Sequence, residues 1–190
     1  MTNVYITNCT ALMNEDALVS VLPLLTPSRR DRVQTLKAME KKAQTATAGL
    51  LLRYRFGPSH SIVFSEYGKP YLADPSAYFS LSHSAQWVAL AVSDRAIGFD
   101  IQALSPIRPS VLRRYFTEEE QAYIGKEDTR FTEIWTQREA YTKYVGSRMT
   151  TAVRPDTSLP HCSGQYENTR YTLYGDDELI IHLINVKDLL

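Results

Sequence analysis

The run Ile97-Gly98-Phe99-Asp100-Ile101-Gln102 reads as a strand whose alternation sets Asp100 and Gln102 on one face and turns Phe99 and Ile101 into packing. Two oxygen donors then look at one site. Hard divalent cations such as Mg²⁺ favour oxygen ligands and keep several waters, so a carboxylate, an amide oxygen and water suit such an ion. An Asp at the end of an apolar strand also serves as a turn cap, so this run alone does not fix a metal site.

A second constellation is Trp135-Thr136-Gln137-Arg138-Glu139-Ala140-Tyr141-Thr142-Lys143, a stretch of good helix formers. Glu139 and Lys143 are one turn apart and Arg138 is adjacent, so a carboxylate, an ammonium and a guanidinium are expected to share one region of surface. That equipment suits a metal-bound diphosphate, with Glu139 on the metal and Lys143 and Arg138 on the phosphate oxygens. A Glu-to-Lys pair at this spacing is otherwise an ordinary surface ion pair.

The third is Phe79-Ser80-Leu81-Ser82-His83-Ser84, a strand that runs into hydroxyls and one imidazole, groups that bind phosphate oxygens. A Ser-His hydrolase is disfavoured, because neighbouring strand residues point to opposite faces and the nucleophile-elbow pattern is missing.

These groups need elements to hold them. Val4 to Ile6 reads as a short strand; Thr26-Pro27 starts a helix with Thr26 as N-cap and Pro27 in the first turn. Ala43, Ala46, Leu50 and Tyr54 recur at helical spacing until Gly57-Pro58 ends the segment. Strands follow at Ile62 to Phe64, Ala77 to Leu81, Trp87 to Ser93 and Ala96 to Ile101, with turn material at Tyr67-Gly68-Lys69-Pro70. Helices are expected through Pro109 to Tyr115, Thr117 to Ile124 and Thr129 to about Val145, then strands at Tyr166 to Leu173 and Leu179 to Asn185. Helix then strands, twice over, predicts an α+β fold of two comparable lobes.

With 190 residues and ordinary apolar and charged fractions, the chain predicts one compact globule. The first residues lack a basic segment followed by an apolar core, and no apolar run approaches membrane-spanning length, which predicts a soluble cytoplasmic protein. Cys9 and Cys162 lack metal-ligand or redox spacing. Formal net charge is zero, yet Arg29, Arg30, Arg32, Lys37, Lys41, Lys42, Arg53 and Arg55 face only Asp31 and Glu40 locally. This basic N-terminal stretch supports an anionic ligand or partner. A nucleic-acid-binding domain would need stacking or groove-reading motifs, and none is evident.

The ordered series Tyr67-Gly68-Lys69-Pro70, Ser80-Leu81-Ser82-His83-Ser84, Gly98-Phe99-Asp100-Ile101-Gln102, Arg114-Tyr115-Phe116-Thr117-Glu118-Glu119-Glu120 and Trp135 to Lys143 resembles the 4′-phosphopantetheinyl transferase superfamily, in its surfactin-synthetase-type, pseudo-dimeric branch. The resemblance covers about residues 25 to 150. It implies two similar α/β lobes related by pseudo-twofold symmetry: 1–102, binding the coenzyme A nucleotide, and 103–190, carrying the metal and catalytic helix and the carrier contact. It implies transfer of 4′-phosphopantetheine from coenzyme A to a serine of an acyl or peptidyl carrier protein of fatty-acid, polyketide or nonribosomal-peptide biosynthesis. By the same resemblance the protein is a monomer that uses Mg²⁺ and needs neither nucleic acid nor membrane.

Residue by residue, the resemblance implies Mg²⁺ at Asp100 and Glu139 with Gln102 as a third contact. Glu139 is also the base for the carrier serine, and Lys143 contacts the diphosphate and the departing 3′,5′-ADP. Lys69, Ser82 and His83 match nucleotide and phosphate contacts, and Arg29 and Arg32 match positions near the 3′-phosphate. The sequence departs from the family pattern at Gln102, often acidic there; at Arg138, often lysine; near Thr45, often arginine; and at Gly146-Ser147-Arg148-Met149. The alternative these departures support is a catalytically silent homologue that binds coenzyme A or a carrier protein. Arg108, Arg113, Arg114 and the apolar residues near Tyr115 and Phe116 are the expected carrier contact.

Overall fold

A computed structural model describes residues 1–150 and 153–190 of the chain. In chain order it holds β1 (Thr2–Asn8), α1 (Glu15–Val21), α2 (Pro27–Thr35), α3 (Met39–Phe56), β2 (Ile62–Phe64), β3 (Pro70–Leu72), β4 (Tyr78–Ser84), β5 (Trp87–Ser93) and β6 (Gly98–Ala103). There follow α4 (Pro109–Tyr115), α5 (Glu118–Ile124), α6 (Asp128–Val145), β7 (His161–Tyr166), β8 (Thr169–Tyr174) and β9 (Leu179–Leu183).

The strands form a sheet of order β4-β5-β1-β9, a second of order β6-β8-β7 and a small β2-β3 ribbon. Strand β5 explains the layering, because all seven of its residues are buried. Val88, Leu90 and Val92 pack with Ala43, Ala46 and Leu50 of α3, whereas Ala89 and Ala91 on the opposite face join Val4, Ile6, Phe99, Ile101 and Leu173. The first sheet is thus sandwiched between α3 and the second sheet, and such a strand reads as a continuous apolar run instead of alternating. Leu50, Leu51 and Leu52 are at most 1% exposed, and losing one such buried side chain to alanine costs about 2–5 kcal/mol.

Helix α6 covers the other side of the second sheet. Their approach is closest at Gly98, where a Cβ would stand 2.1 Å from the Ala140 carbonyl oxygen and 2.2 Å from the Tyr144 nitrogen. Only glycine lets the helix lie directly on the strand. The helix stops at Gly146, whose left-handed backbone (φ +68°) suits a residue without Cβ.

An α+β fold is therefore present, each main sheet carrying an 18-residue helix. The sheets do not respect the expected boundary between 102 and 103, which falls inside β6. Strand β9 also returns to pair in parallel with β1, so the last part of the chain completes the first sheet. The expected strand Tyr166 to Leu173 is instead a hairpin of β7 and β8, turning through Glu167 at φ +49°. Thr26 occupies the cap of α2 with extended backbone, but its hydroxyl makes no capping bond and Pro27 alone marks the start.

Candidate functional site

The two sheets meet along the edges of β4 and β6, and serines form the seam. Ser80, Ser82 and Ser84 alternate along β4, and their hydroxyl oxygens accept the N–H groups of Phe99 (2.9 Å), Ile101 (3.2 Å) and Ala103 (3.0 Å). Three otherwise unpaired N–H groups of β6 are satisfied by side chains in place of a neighbouring strand. This seam holds Asp100 beside β4.

Asp100 is 4% exposed. Its Oδ1 accepts from Ser82 Oγ at 2.6 Å and from Lys143 Nζ at 2.7 Å, while Oδ2 is buried with no partner. Lys143 also donates to the Phe99 carbonyl at 3.2 Å. Lys143 thus reaches from α6 to β6, which leaves the half-buried Glu139 without a hydrogen bond among the described residues. Burial, then the Asp100 carboxylate, pushes the Glu139 pKa up, opposed by Lys143. Two close carboxylates, one with an orphaned oxygen and one reluctant to ionise, call for a cation.

Those donors fit Mg²⁺. Among the described residues no group of three or more His, Cys, Asp or Glu is placed to hold a metal, but Mg²⁺ is usually held by one or two carboxylates with water and substrate phosphates. Gln102, on the Asp100 face of β6, adds an amide oxygen at the wall of the same cavity.

That cavity, of about 470 Å³, is walled by Glu139, Lys143, Gln102, Ser82, His83, Arg29, Arg108 and Trp135. A second, of about 300 Å³, lies against Glu139, Lys143, Lys69 and Gly68. A third, of about 430 Å³, takes Arg29, Arg32 and His60 over an apolar floor that includes Leu52 and Ile62. Leu81 lines all three, so they adjoin as one groove. Among the described residues Glu139 is the one acidic wall residue against Arg29, Arg32, Lys69, Arg108 and Lys143, a field that draws a polyanion.

Lys69 donates to the carbonyls of Ile97 (3.3 Å) and Tyr144 (3.1 Å), tying the β2-β3 turn to β6 and to the end of α6. Burial lowers its pKa to about 8. Burial likewise lowers the Arg29 pKa, although the guanidinium stays charged. His83 stands at the groove wall, where desolvation by the walls, then Lys41 and Lys143, hold its imidazole below the usual value.

Of the residues expected in the site, Gln102, Glu139, Lys143, Lys69, Ser82, His83, Arg29 and Arg32 line the groove, and Asp100 lies buried against two of them, Ser82 and Lys143. Arg138 does neither. It is fully buried, its Nη2 lies 2.6 Å from both Glu120 oxygens, its Nη1 donates to the Tyr115 carbonyl, and Phe116 lies under its guanidinium. Adjacent residues of a helix point about 100° apart, so Arg138 faces α4 and α5 when Glu139 faces the groove. Arg108, expected in the carrier contact, also lines the groove, and sequence reasoning missed Trp135 as a groove wall. The one-turn spacing of Trp135 and Glu139 carried that signal.

The family model described as the 4′-phosphopantetheinyl transferase superfamily matches residues 96–182. The chain is 30% identical over 161 residues to the 4′-phosphopantetheinyl transferase AcpT of Escherichia coli O157:H7, covering 71% of this chain and 80% of that protein. It is 28% identical over 158 residues to the 4′-phosphopantetheinyl transferase Sfp of Bacillus subtilis, covering 76% and 70%. To the 4′-phosphopantetheinyl transferase gsp of Aneurinibacillus migulanus it is 34% identical over 99 residues, or 48% of this chain and only 41% of that relative's length.

Proposed function

Because the chain belongs to the 4′-phosphopantetheinyl transferase superfamily, we propose that it transfers 4′-phosphopantetheine from coenzyme A to a serine of an apo carrier protein. The observation that carries this reading is the pairing of the buried Asp100, with its orphaned Oδ2, and Glu139, raised in pKa by burial and then by Asp100, beside a groove of cations.

In this reading Asp100 and Glu139 would hold Mg²⁺, and the Gln102 amide oxygen would be a further ligand. The bound ion supplies neutralisation of diphosphate charge. Lys143 and Lys69 take phosphate oxygens, and Arg29 and Arg32 the 3′-phosphate over the third hollow. The carrier serine oxygen forms a bond to the phosphorus that bears pantetheine, and the bond from that phosphorus to the bridging oxygen breaks, releasing 3′,5′-ADP. Glu139, whose pKa is raised by burial and then by Asp100, receives the serine proton. Lys143 meets the charge that appears on the leaving group. Alignment and charge supply the acceleration, as in phosphoryl transfer generally, and no covalent enzyme intermediate forms.

The carrier approaches over Arg108 at the groove wall and the exposed Arg113 and Arg114 of α4. The same reading has a monomer acting in the cytoplasm, without nucleic acid or membrane; among the described residues no helix is long and apolar enough to cross a membrane.

The test is intact-mass analysis of several apo carrier proteins incubated with coenzyme A, Mg²⁺ and this protein. One phosphopantetheinyl group gained, and lost with Asp100→Ala or Glu139→Ala, is the expected result. Coenzyme A binding with no gain on any carrier would make the protein a silent homologue, a reading that the neutral Gln102 and the Asp100–Lys143 pair favour.

A further inference from the structure

Ser82 makes two hydrogen bonds that fix its hydroxyl. Its Oγ accepts the Ile101 N–H at 3.2 Å, and its proton goes to Asp100 Oδ1 at 2.6 Å. Ser82 is 5% exposed at the groove wall, and its hydroxyl is committed to these two partners. Lys143, the other donor to Oδ1, is 26% exposed on a flexible stem that also lines the groove. When an anion draws Lys143 away, Ser82 still holds Oδ1.

Ser84 provides an internal comparison. It accepts the Ala103 N–H at 3.0 Å in the same seam, from the same face of β4, but does not touch Asp100. The seam therefore explains why serines recur on β4, and leaves the short bond from Ser82 to Asp100 as a separate feature.

We infer that Ser82 is a positioning residue for the metal carboxylate: it occupies Oδ1 and so leaves Oδ2 as the oxygen offered to the ion, in place of the nucleotide contact its motif suggests. This rests on the reading of Asp100 as a metal ligand. Partners that orient a ligating carboxylate are worth about tenfold or more in metal affinity.

The experiment titrates the full chain with Mn²⁺, alone and with saturating 3′,5′-ADP, reading free Mn²⁺ by electron paramagnetic resonance. Binding of 3′,5′-ADP without metal is measured separately by calorimetry. The expected result is that Asp100→Asn abolishes Mn²⁺ binding, Ser82→Ala weakens it about tenfold or more, and Ser84→Ala leaves it unchanged, with metal-free nucleotide binding the same in the two serine variants as in the wild type. Wild-type Mn²⁺ affinity in Ser82→Ala, beside a silent Asp100→Asn, overturns the positioning role alone. Equal losses in Ser82→Ala and Ser84→Ala overturn it too, since a loosened seam would then be the cause. If the wild type takes up no Mn²⁺ in either condition, or Asp100→Asn binds it normally, the metal reading falls and the Ser82 role with it.

Discussion

Arg138 and Glu120 form an ion pair in which a fully buried guanidinium nitrogen lies 2.6 Å from both carboxylate oxygens. Burial opposes ionisation of Glu120, but Arg138 and the Thr117 N–H outweigh it and its pKa falls. Glu120 also closes the capping box of α5 with Thr117. One side chain therefore starts α5 and anchors the middle of α6. Glu120→Ala should lower stability by about 3–5 kcal/mol, because it leaves a buried charge without its partner. Arg138→Lys should recover only part of this contact network, since a single ammonium cannot reach Glu120 and the Tyr115 carbonyl with the same fork. Urea denaturation of both variants checks the order.

Gly98 makes a second prediction about the same helix. In Gly98→Ala the new Cβ meets backbone atoms of Ala140 and Tyr144, which cannot swing aside as a side chain would. Helix α6 must lift from β6, at about 2–3 kcal/mol of stability. Because Glu139 and Lys143 ride on that helix, transfer activity should fall by more than the folded fraction does. Activity that merely tracks the folded fraction in circular dichroism would mean that the strain is absorbed elsewhere.

Much of this architecture was legible in the sequence where local pattern decides. The apolar spacing through Ala43, Ala46 and Leu50 marked α3, and the run Trp87 to Ser93 marked β5 as a strand, though not its burial on both faces. Asp100 and Gln102 share a face because strand alternation demands it. What was not legible depends on distant partners. Arg138 looked like a phosphate ligand because its neighbour Glu139 faces the groove, but its own direction is set by Glu120, 18 residues earlier. The bond from Ser82 to Asp100 was not legible, because nothing local reveals that the edge of β6 lies alongside β4. The return of β9 to β1 is likewise a long-range pairing without a local signal.

Lys69 predicts a pH dependence. Burial lowers its pKa from 10.5 to about 8, so in the free protein half its charge is gone at about that pH. The protonated form is the one that attracts phosphate, and kcat/KM reports the free enzyme. The kcat/KM for coenzyme A should therefore decline as pH rises through about 8, while kcat changes less because a bound anion raises the lysine pKa again. In Lys69→Met the value should be low throughout and this limb absent. A wild-type profile flat to pH 9.5 would remove Lys69 from the binding groups.

Glu139 gives a prediction in which stability and function part. Its pKa in the fold is raised above the ordinary 4.5, by burial first and the Asp100 carboxylate next. At low pH the group is protonated in both folded and unfolded chains and exerts no penalty. As pH rises through 4.5 the unfolded chain ionises first, so the unfolded state is favoured and stability is lost until the folded pKa is passed. Glu139→Gln removes the ionisation while nearly keeping the shape. It should melt at a higher temperature than the wild type at pH 7, with the gap closing below pH 4.5, and it should have lost carrier modification at every pH. Adding Mg²⁺ should narrow the gap at pH 7, because an ion bound only by the folded wild type stabilises it by mass action. Calorimetric scans at pH 4 and pH 7, with and without Mg²⁺, read all three effects, and a Glu139→Gln protein no more stable than wild type at pH 7 would show that Lys143 already neutralises the pair.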